Sequence, residues 1–191
     1  MPRVVDAEAR RQDLVEAVWR VIRREGLPHA SVRKVATEAG LSMGSLRHYF
    51  TTQDELLQFS LRAVGERVTE RLRQLEYPAD ARGVLELVAL ELLPLDPDRF
   101  AEVEVWVAFT AATLTNPALR ALGDESYAAV HDLLRDLLRD LLGDRPELEA
   151  QADRLHALID GLALHGVSSP GRLKPDKARA ALREHLDALT A

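Results

Sequence analysis

The stretch "VRKVATEAGLSMGSLRHYF", Val32 to Phe50, decides how the rest of this 191-residue chain is read. Ala36 is small, Gly40 follows four residues later, and Leu41, Leu46 and Tyr49 come after it. Two helices crossing sharply over a short turn need a small residue where they touch, which Ala36 supplies. The turn needs a residue that tolerates positive φ, which Gly40 supplies. Val35, Leu41 and Leu46 are spaced to lock the second helix onto the first. The pattern predicts a helix-turn-helix: Ser31 caps one helix, Gly40 ends it, and Ser42 caps a short helix running to about Phe50. Outward on that short helix lie Ser42, Met43, Ser45, Arg47, His48 and Tyr49, with Gly44 between them. Small residues at its start let such a helix sink into a major groove, where its first turn meets base edges. Its N-terminal amides are offered to phosphate. Arg33 and Lys34 on the preceding helix are placed to reach phosphate or a guanine edge. Tyr49 reads equally as core or as phosphate contact.

Working outward, charge divides along the chain. Residues 1–50 carry nine Lys+Arg against six Asp+Glu, a balance of +3, while residues 51–191 carry sixteen against twenty-five, a balance of −9. A basic segment on an acidic body predicts that only one end meets a polyanion. Apolar residues make up 47% of the chain and charged residues 29%, enough for a packed core. Cysteine is absent, which excludes disulfide scaffolds, thiolate metal sites and cysteine nucleophiles. No apolar run approaches the ~18 residues a membrane span needs, so no membrane partner is expected. The start, "MPRVVDAEARRQD", has no apolar signal core, and a cytoplasmic location is the expectation.

No stretch alternates with period two, so the chain is expected to be all-α, with about nine or ten helices. The first helix is expected to start after Asp6 and end near Gly26, with Leu14, Ala17, Val18, Val21 and Ile22 inward. Thr52 and Glu55 form a capping box for a fourth helix whose stripe runs Leu56, Ser60, Ala63, Val64, Val68, Leu72, Leu75. That helix is too long for the N-terminal unit alone and bridges two units, so the domains are expected at 1–52 and 53–191. Asp96-Pro97, Asn116-Pro117 and Lys174-Pro175 read as helix starts. Gly123 and Gly143 read as stops, and Ser168–Gly171 as a loop.

"SVRKVATEAG" followed by "LSMGSLRHYFTTQDELL" resembles the DNA-binding domain of the TetR family of transcriptional regulators. "LRHYF", "EVEVWVAFTAATLTNPALRAL" and "ALIDGLALHGV" resemble its BetI-type branch. The resemblance implies a homodimer with an N-terminal three-helix DNA-binding domain and a C-terminal helical domain that binds an effector and dimerises. It implies a ligand-responsive regulator, a repressor on a palindromic operator of double-stranded DNA, released by a small organic molecule, with no cofactor. Gln53 departs from the family, which commonly carries a phosphate-contacting lysine there. The contact would fall to helix amides and to Thr51 or Thr52. The alternative is an all-helical small-molecule binding protein or enzyme whose N-terminal turn is only structural.

"VEVWVAFTAATL" is apolar nearly all round, which predicts a buried helix. With the resemblance placing a pocket among the central helices, Trp106, Phe109, Tyr127, His131 and Asp160 become effector candidates, against ordinary core packing for each. An acidic residue there would favour a cation. In "HDLLRDLLRDLLG" and the helix after it, Leu134, Leu138, Leu141, Leu155, Leu158, Ile159 and Leu162 could bury each other within one chain or pair with their copies as a four-helix bundle. His156 and Asp160 are spaced i,i+4 and His165 follows, but no third ligand at motif spacing supports a metal, and none is expected. No phosphate loop, nucleophile elbow or HExxH motif is present.

Overall fold

The computed structural model describes residues 2–47 and 49–190, with side chains from Arg10 onward. Nine α-helices make up the described residues, with a 3-10 turn at Leu27–His29 and no strand. They are α1 (Pro2–Glu25), α2 (Val32–Glu38), α3 (Met43–Arg47), α4 (Gln53–Gln74), α5 (Ala81–Glu91), α6 (Pro97–Thr113), α7 (Pro117–Leu142), α8 (Leu148–Ser168) and α9 (Pro175–Thr190).

The starts follow the caps. Ser31 Oγ accepts from the Lys34 amide, Asp96 Oδ1 from the Arg99 amide, and Asn116 Oδ1 from the Ala118 amide. Two sequence expectations give way. Asp6 lies inside α1 rather than capping it, because the helix begins at Pro2, whose fixed φ and missing amide hydrogen suit a first turn. Gly123 does not stop a helix; α7 runs through it. A Cβ at Gly123 would lie 2.8 Å from Thr113 Cγ2, so the glycine serves the close approach of α6's last turn. Gly143, at φ +73°, is a true stop, and its amide donates to Arg139 O at 2.8 Å.

The chain divides into two compact units by its internal packing. The first takes in the chain up to Glu66 together with Glu104–Gly123; the second comprises Arg67–Val103 and the chain from Asp124 on. In the first unit, Leu14, Ala17, Val18, Val21 and Ile22 of α1 are all buried, as their spacing required. They share one core with Val35, Ala36, Leu46, Phe50 and Leu56. Val105 and Phe109 of α6 and Leu119 and Leu122 of α7 complete that core. Trp19 Nε1 donates to Ser60 O at 3.3 Å, tying α1 to α4.

In the second unit, Leu85, Val88 and Ala89 of α5 and Ala178, Leu182 and Leu186 of α9 are buried. Arg82 joins Asp187 at 2.6 Å and Arg183 joins Glu86 at 2.5 Å between the same two helices. Leu134 and Leu138 of α7 and Leu155 and Ile159 of α8 are buried as well.

Candidate nucleic-acid interface and effector unit

The turn between α2 and α3 is closed by two hydrogen bonds. The Leu41 amide donates to Ala36 O at 2.9 Å and the Gly40 amide to Thr37 O at 3.2 Å. This paired 6→1 and 5→2 pattern requires a left-handed residue, and Gly40 has φ +65°. Leu46 is fully buried beneath α3, with Val35 and Ala36 of α2 in the same core. That burial leaves Ser42, Met43, Gly44, Ser45, Arg47 and Tyr49 exposed together. Tyr49 is 48% exposed, so about half of it faces solvent. The helix is shorter than expected: it ends at Arg47, although the Phe50 amide still reaches Leu46 O at 3.0 Å. His48 lies outside the described residues.

Not every expected DNA contact is free. The Ser45 amide donates to Ser42 Oγ at 3.0 Å, and the two hydroxyls bond at 2.9 Å, so one α3 amide is already capped. Arg33 and Lys34 are both exposed on α2, but Lys34 Nζ pairs with Glu25 at 2.5 Å. Arg20 and Arg24 of α1 both reach Glu38 of α2, at 2.7 and 3.0 Å, so much of the positive charge of α1 is spent on pinning α2. These pairs hold the carboxyls of Glu25 and Glu38 below the ordinary range, chiefly through the Lys34 and Arg20 hydrogen bonds respectively.

At the start of α4 the capping box forms: the Glu55 amide donates to Thr52 Oγ1 at 3.1 Å and the Thr52 amide to Glu55 Oε2 at 3.3 Å. Thr51 adds its hydroxyl and amide to the same oxygen, at 2.8 and 2.6 Å. The Thr51 hydroxyl is the main cause of a Glu55 carboxyl held below its ordinary range, followed by the two amides. Of the helix amides and Thr51 or Thr52, expected to take over from the missing lysine, the Thr51 amide and hydroxyl and the Thr52 amide are engaged by Glu55. The Gln53 side chain turns to Pro28 O at 3.4 Å.

The second unit gathers three of the five effector candidates. Tyr127 and His131, one turn apart on α7, stack at 5.9 Å between ring centroids. His156 of α8 stacks under Tyr127 at 4.5 Å. His131 Nε2 lies 3.1 Å from Asp153 Oδ1, and His156 Nε2 lies 3.7 Å from Asp160 Oδ1. Burial pushes the Asp160 carboxyl up to about 6. Burial, then the neighbouring His131, pushes His156 below its ordinary value, and its buried Nδ1 has no partner. Sequence reading weighed His156 only as a metal ligand. Its place in a stack was legible in two i,i+4 pairs, Tyr127/His131 and His156/Asp160. The other two candidates belong to the first unit, where Phe109 is 1% exposed and packs as core and Trp106 is half-buried. Among the described residues no group of three or more His, Cys, Asp or Glu could hold a metal ion.

The leucines of α7 and α8 resolve toward packing within the chain. Leu134, Leu138 and Leu155 are fully buried in a single copy, with Ile159 at 2% and Leu162 at 8% exposure, so they have little surface to offer a partner. Leu141 and Leu158 are half-buried. The exposed face of α8 instead carries Ala157, Leu164 and Ser168, beside half-buried Gly161.

A turn built on Gly40 that presents a short polar helix from an all-helical chain defines a helix-turn-helix regulator. Comparison with known proteins agrees along the whole length. The family described as bacterial regulatory proteins, tetR family, matches residues 14–58, and the BetI-type transcriptional repressor C-terminal family matches residues 81–191. The HTH-type transcriptional regulator PksA of Bacillus subtilis (strain 168) is 38% identical over 193 residues, covering 99% of this chain and 94% of that one. The crystal structure of a transcriptional regulator from Rhodococcus sp. Rha1 superposes with a TM-score of 0.84 at 33% identity, covering 94% of this chain and 95% of that one. A transcriptional regulator from Saccharomonospora viridis, solved in complex with choline, superposes with a TM-score of 0.82 at 26% identity, covering 95% and 96%. The chain belongs to the TetR family and carries its BetI-type C-terminal domain; it is a transcriptional regulator and not an enzyme. No helix among the described residues is long and apolar enough to cross a membrane.

Proposed function

We propose that this regulator is a repressor that binds a palindromic duplex as a homodimer and is released by a small organic effector bound in its second unit. The observation that carries the DNA half is the α2–α3 turn: Gly40 fixes it, Leu46 anchors it, and Ser42, Met43, Gly44, Ser45, Arg47 and Tyr49 are left outward. In this reading the start of α3 meets base edges, while Arg33, Arg47, Tyr49 and the Thr52 hydroxyl meet phosphate. His48 belongs to the proposed contact set from its sequence position. Lys34 joins only by giving up Glu25.

A single short helix reads few base pairs, so two copies a helical turn apart are needed for a palindrome. The exposed face of α8, with Leu164 at 41% exposure and open space around Gly161, is the surface proposed to pair. The effector half rests on Tyr127, His131, His156 and Asp160, where aromatic faces and carboxylates suit an organic cation. The choline held by the Saccharomonospora viridis relative is consistent with that chemistry.

A mobility-shift titration on the DNA upstream of the protein's own gene tests the proposal. Salt-sensitive, sequence-preferring binding is expected. Binding that ignores sequence, or none in dilute buffer, ends the reading. Choline is the first probe for effector binding, read as a rise in melting temperature.

A further inference from the structure

We propose that His156 is the specificity-determining residue of the effector site, its Nδ1 accepting a hydrogen bond from an O–H or N–H of the bound cation. The proposal rests on the effector reading above and narrows it: the site selects organic cations that carry a donor, such as hydroxyl-bearing or protonated amines, over those that are fully alkylated.

His156 lies on α8 and is 4% exposed. Its Nδ1 is shut off from solvent and has no hydrogen-bond partner. Buried polar atoms are nearly always paired, and an open one has an unmet demand that a ligand can satisfy. The tautomer decides what kind of ligand atom that is. Burial first, and then His131, hold the ring neutral, so one nitrogen carries a proton and the other a lone pair. Asp160 Oδ1 lies 3.7 Å from Nε2. That is long for a hydrogen bond, but a carboxyl oxygen on that side favours the tautomer with its proton on Nε2. Although burial raises the Asp160 carboxyl to about 6, it is ionised at pH 7.5 and keeps this preference there. Nδ1 is then an acceptor without a donor.

The surroundings supply the rest of a cation site. Tyr127 stacks on His156 at 4.5 Å between ring centroids and is 52% exposed, so the ring that covers the histidine is one that solvent reaches. A half-exposed ring can turn aside by a rotamer change and then offer its face to the cation. Asp153 is already engaged by His131 at 3.1 Å, which leaves Asp160, with its side chain 40% exposed, the better placed to balance the ligand's charge. All of these residues belong to the second unit. A cation that meets Asp160 and the Tyr127 face but brings no donor leaves Nδ1 as it stands. One that brings an O–H or N–H completes it.

The test compares two probes that differ by one oxygen, choline and ethyltrimethylammonium, titrated into the full chain by calorimetry at pH 7.5. The wild type is expected to bind choline about tenfold more tightly, the penalty for leaving a buried acceptor unpaired. His156→Phe keeps an aromatic ring against Tyr127 and removes both nitrogens, and it is expected to bring the two affinities within about twofold of each other. If His156→Phe loses helix by circular dichroism, ring-nitrogen NMR of the wild type takes its place: choline is expected to move the His156 Nδ1 resonance and ethyltrimethylammonium to leave it in position. A wild type that binds both probes equally, a folded His156→Phe chain that keeps the preference, or an Nδ1 resonance that choline does not move overturns the acceptor role and leaves the organic-cation reading standing. A wild-type chain that binds neither probe overturns both.

Discussion

Arg33 and Lys34 are neighbours in sequence and are both exposed on α2, yet they stand differently toward a polyanion. Lys34 is neutralised by Glu25, whereas no carboxylate among the described residues pairs with Arg33. Substituting Arg33→Met is expected to flatten the slope of log affinity against log salt by about one. Glu25→Gln, by freeing Lys34, is expected to tighten binding and steepen the slope. Salt titrations of the two variants check both signs, and an unchanged slope in Arg33→Met would remove that residue from the contact set. Arg47→Ala and Tyr49→Ala are each expected to lose operator binding with the fold intact, since both side chains are exposed and neither packs in the core. The caps at Ser31, Ser42, Thr52, Asp96 and Asn116 were all legible, because each needs only a side chain and an amide two or three residues away. The Glu25–Lys34 pair was not, since it spans nine residues across a turn whose path the sequence does not state.

At the level of elements, three glycines show why stops are only partly readable. Gly40 and Gly143 have positive φ and end helices, while Gly123 lies inside α7 at a close approach to Thr113. Composition alone does not separate these two uses of a missing Cβ. Gly40→Val is expected to cost about 1–2 kcal/mol for the left-handed backbone and to lower operator affinity by misplacing α3. Chemical denaturation and a binding curve on the same sample check it. On α8, Asp160 has its carboxyl raised to about 6 from an ordinary 3.8. The folded chain therefore holds that proton more tightly than the unfolded one. Stability falls as pH rises through this window, with the full penalty present above 6. Asp160→Asn is expected to melt higher than wild type at pH 7.5 and to lose the advantage toward pH 4. The side chain is 40% exposed, so solvent screening keeps the gain small. His156 works in the opposite sense: burial keeps it neutral, and that contribution is lost as pH falls below its ordinary range, in wild type and variant alike. A melting-temperature difference between the two proteins that does not change with pH would contradict the Asp160 assignment.

For the whole molecule, charge and periodicity gave the class of fold but not its partition. The +3 and −9 halves marked one end for DNA, and the long stripe of α4 marked a helix shared by two units. That α6 and α7 also cross the division was hidden, because the nearly all-round apolar run at 103–114 does not say which core it fills. Phe109 fills the core beneath α3, and of the leucine repeat of α7, which reads as readily as an interface, Leu134 and Leu138 are buried inside one chain. In the proposed homodimer, pairing would draw on the surface left exposed, which on α8 includes Ala157, Gly161, Leu164 and Ser168, spaced three to four residues apart along one side. The open space around Gly161 allows a second backbone to approach closely. Leu164→Arg places a charge in the middle of this strip without entering the core, since Leu164 is already 41% exposed. The variant is expected to fold with unchanged helix content, to sediment as a monomer where the wild type is a dimer, and to bind operator about a hundredfold more weakly, because the second half-site no longer benefits from being on the same molecule. Analytical ultracentrifugation beside a binding titration decides it: a Leu164→Arg chain that remains dimeric moves the interface off this face of α8, and a monomer that binds as tightly as wild type removes the need for two copies at all.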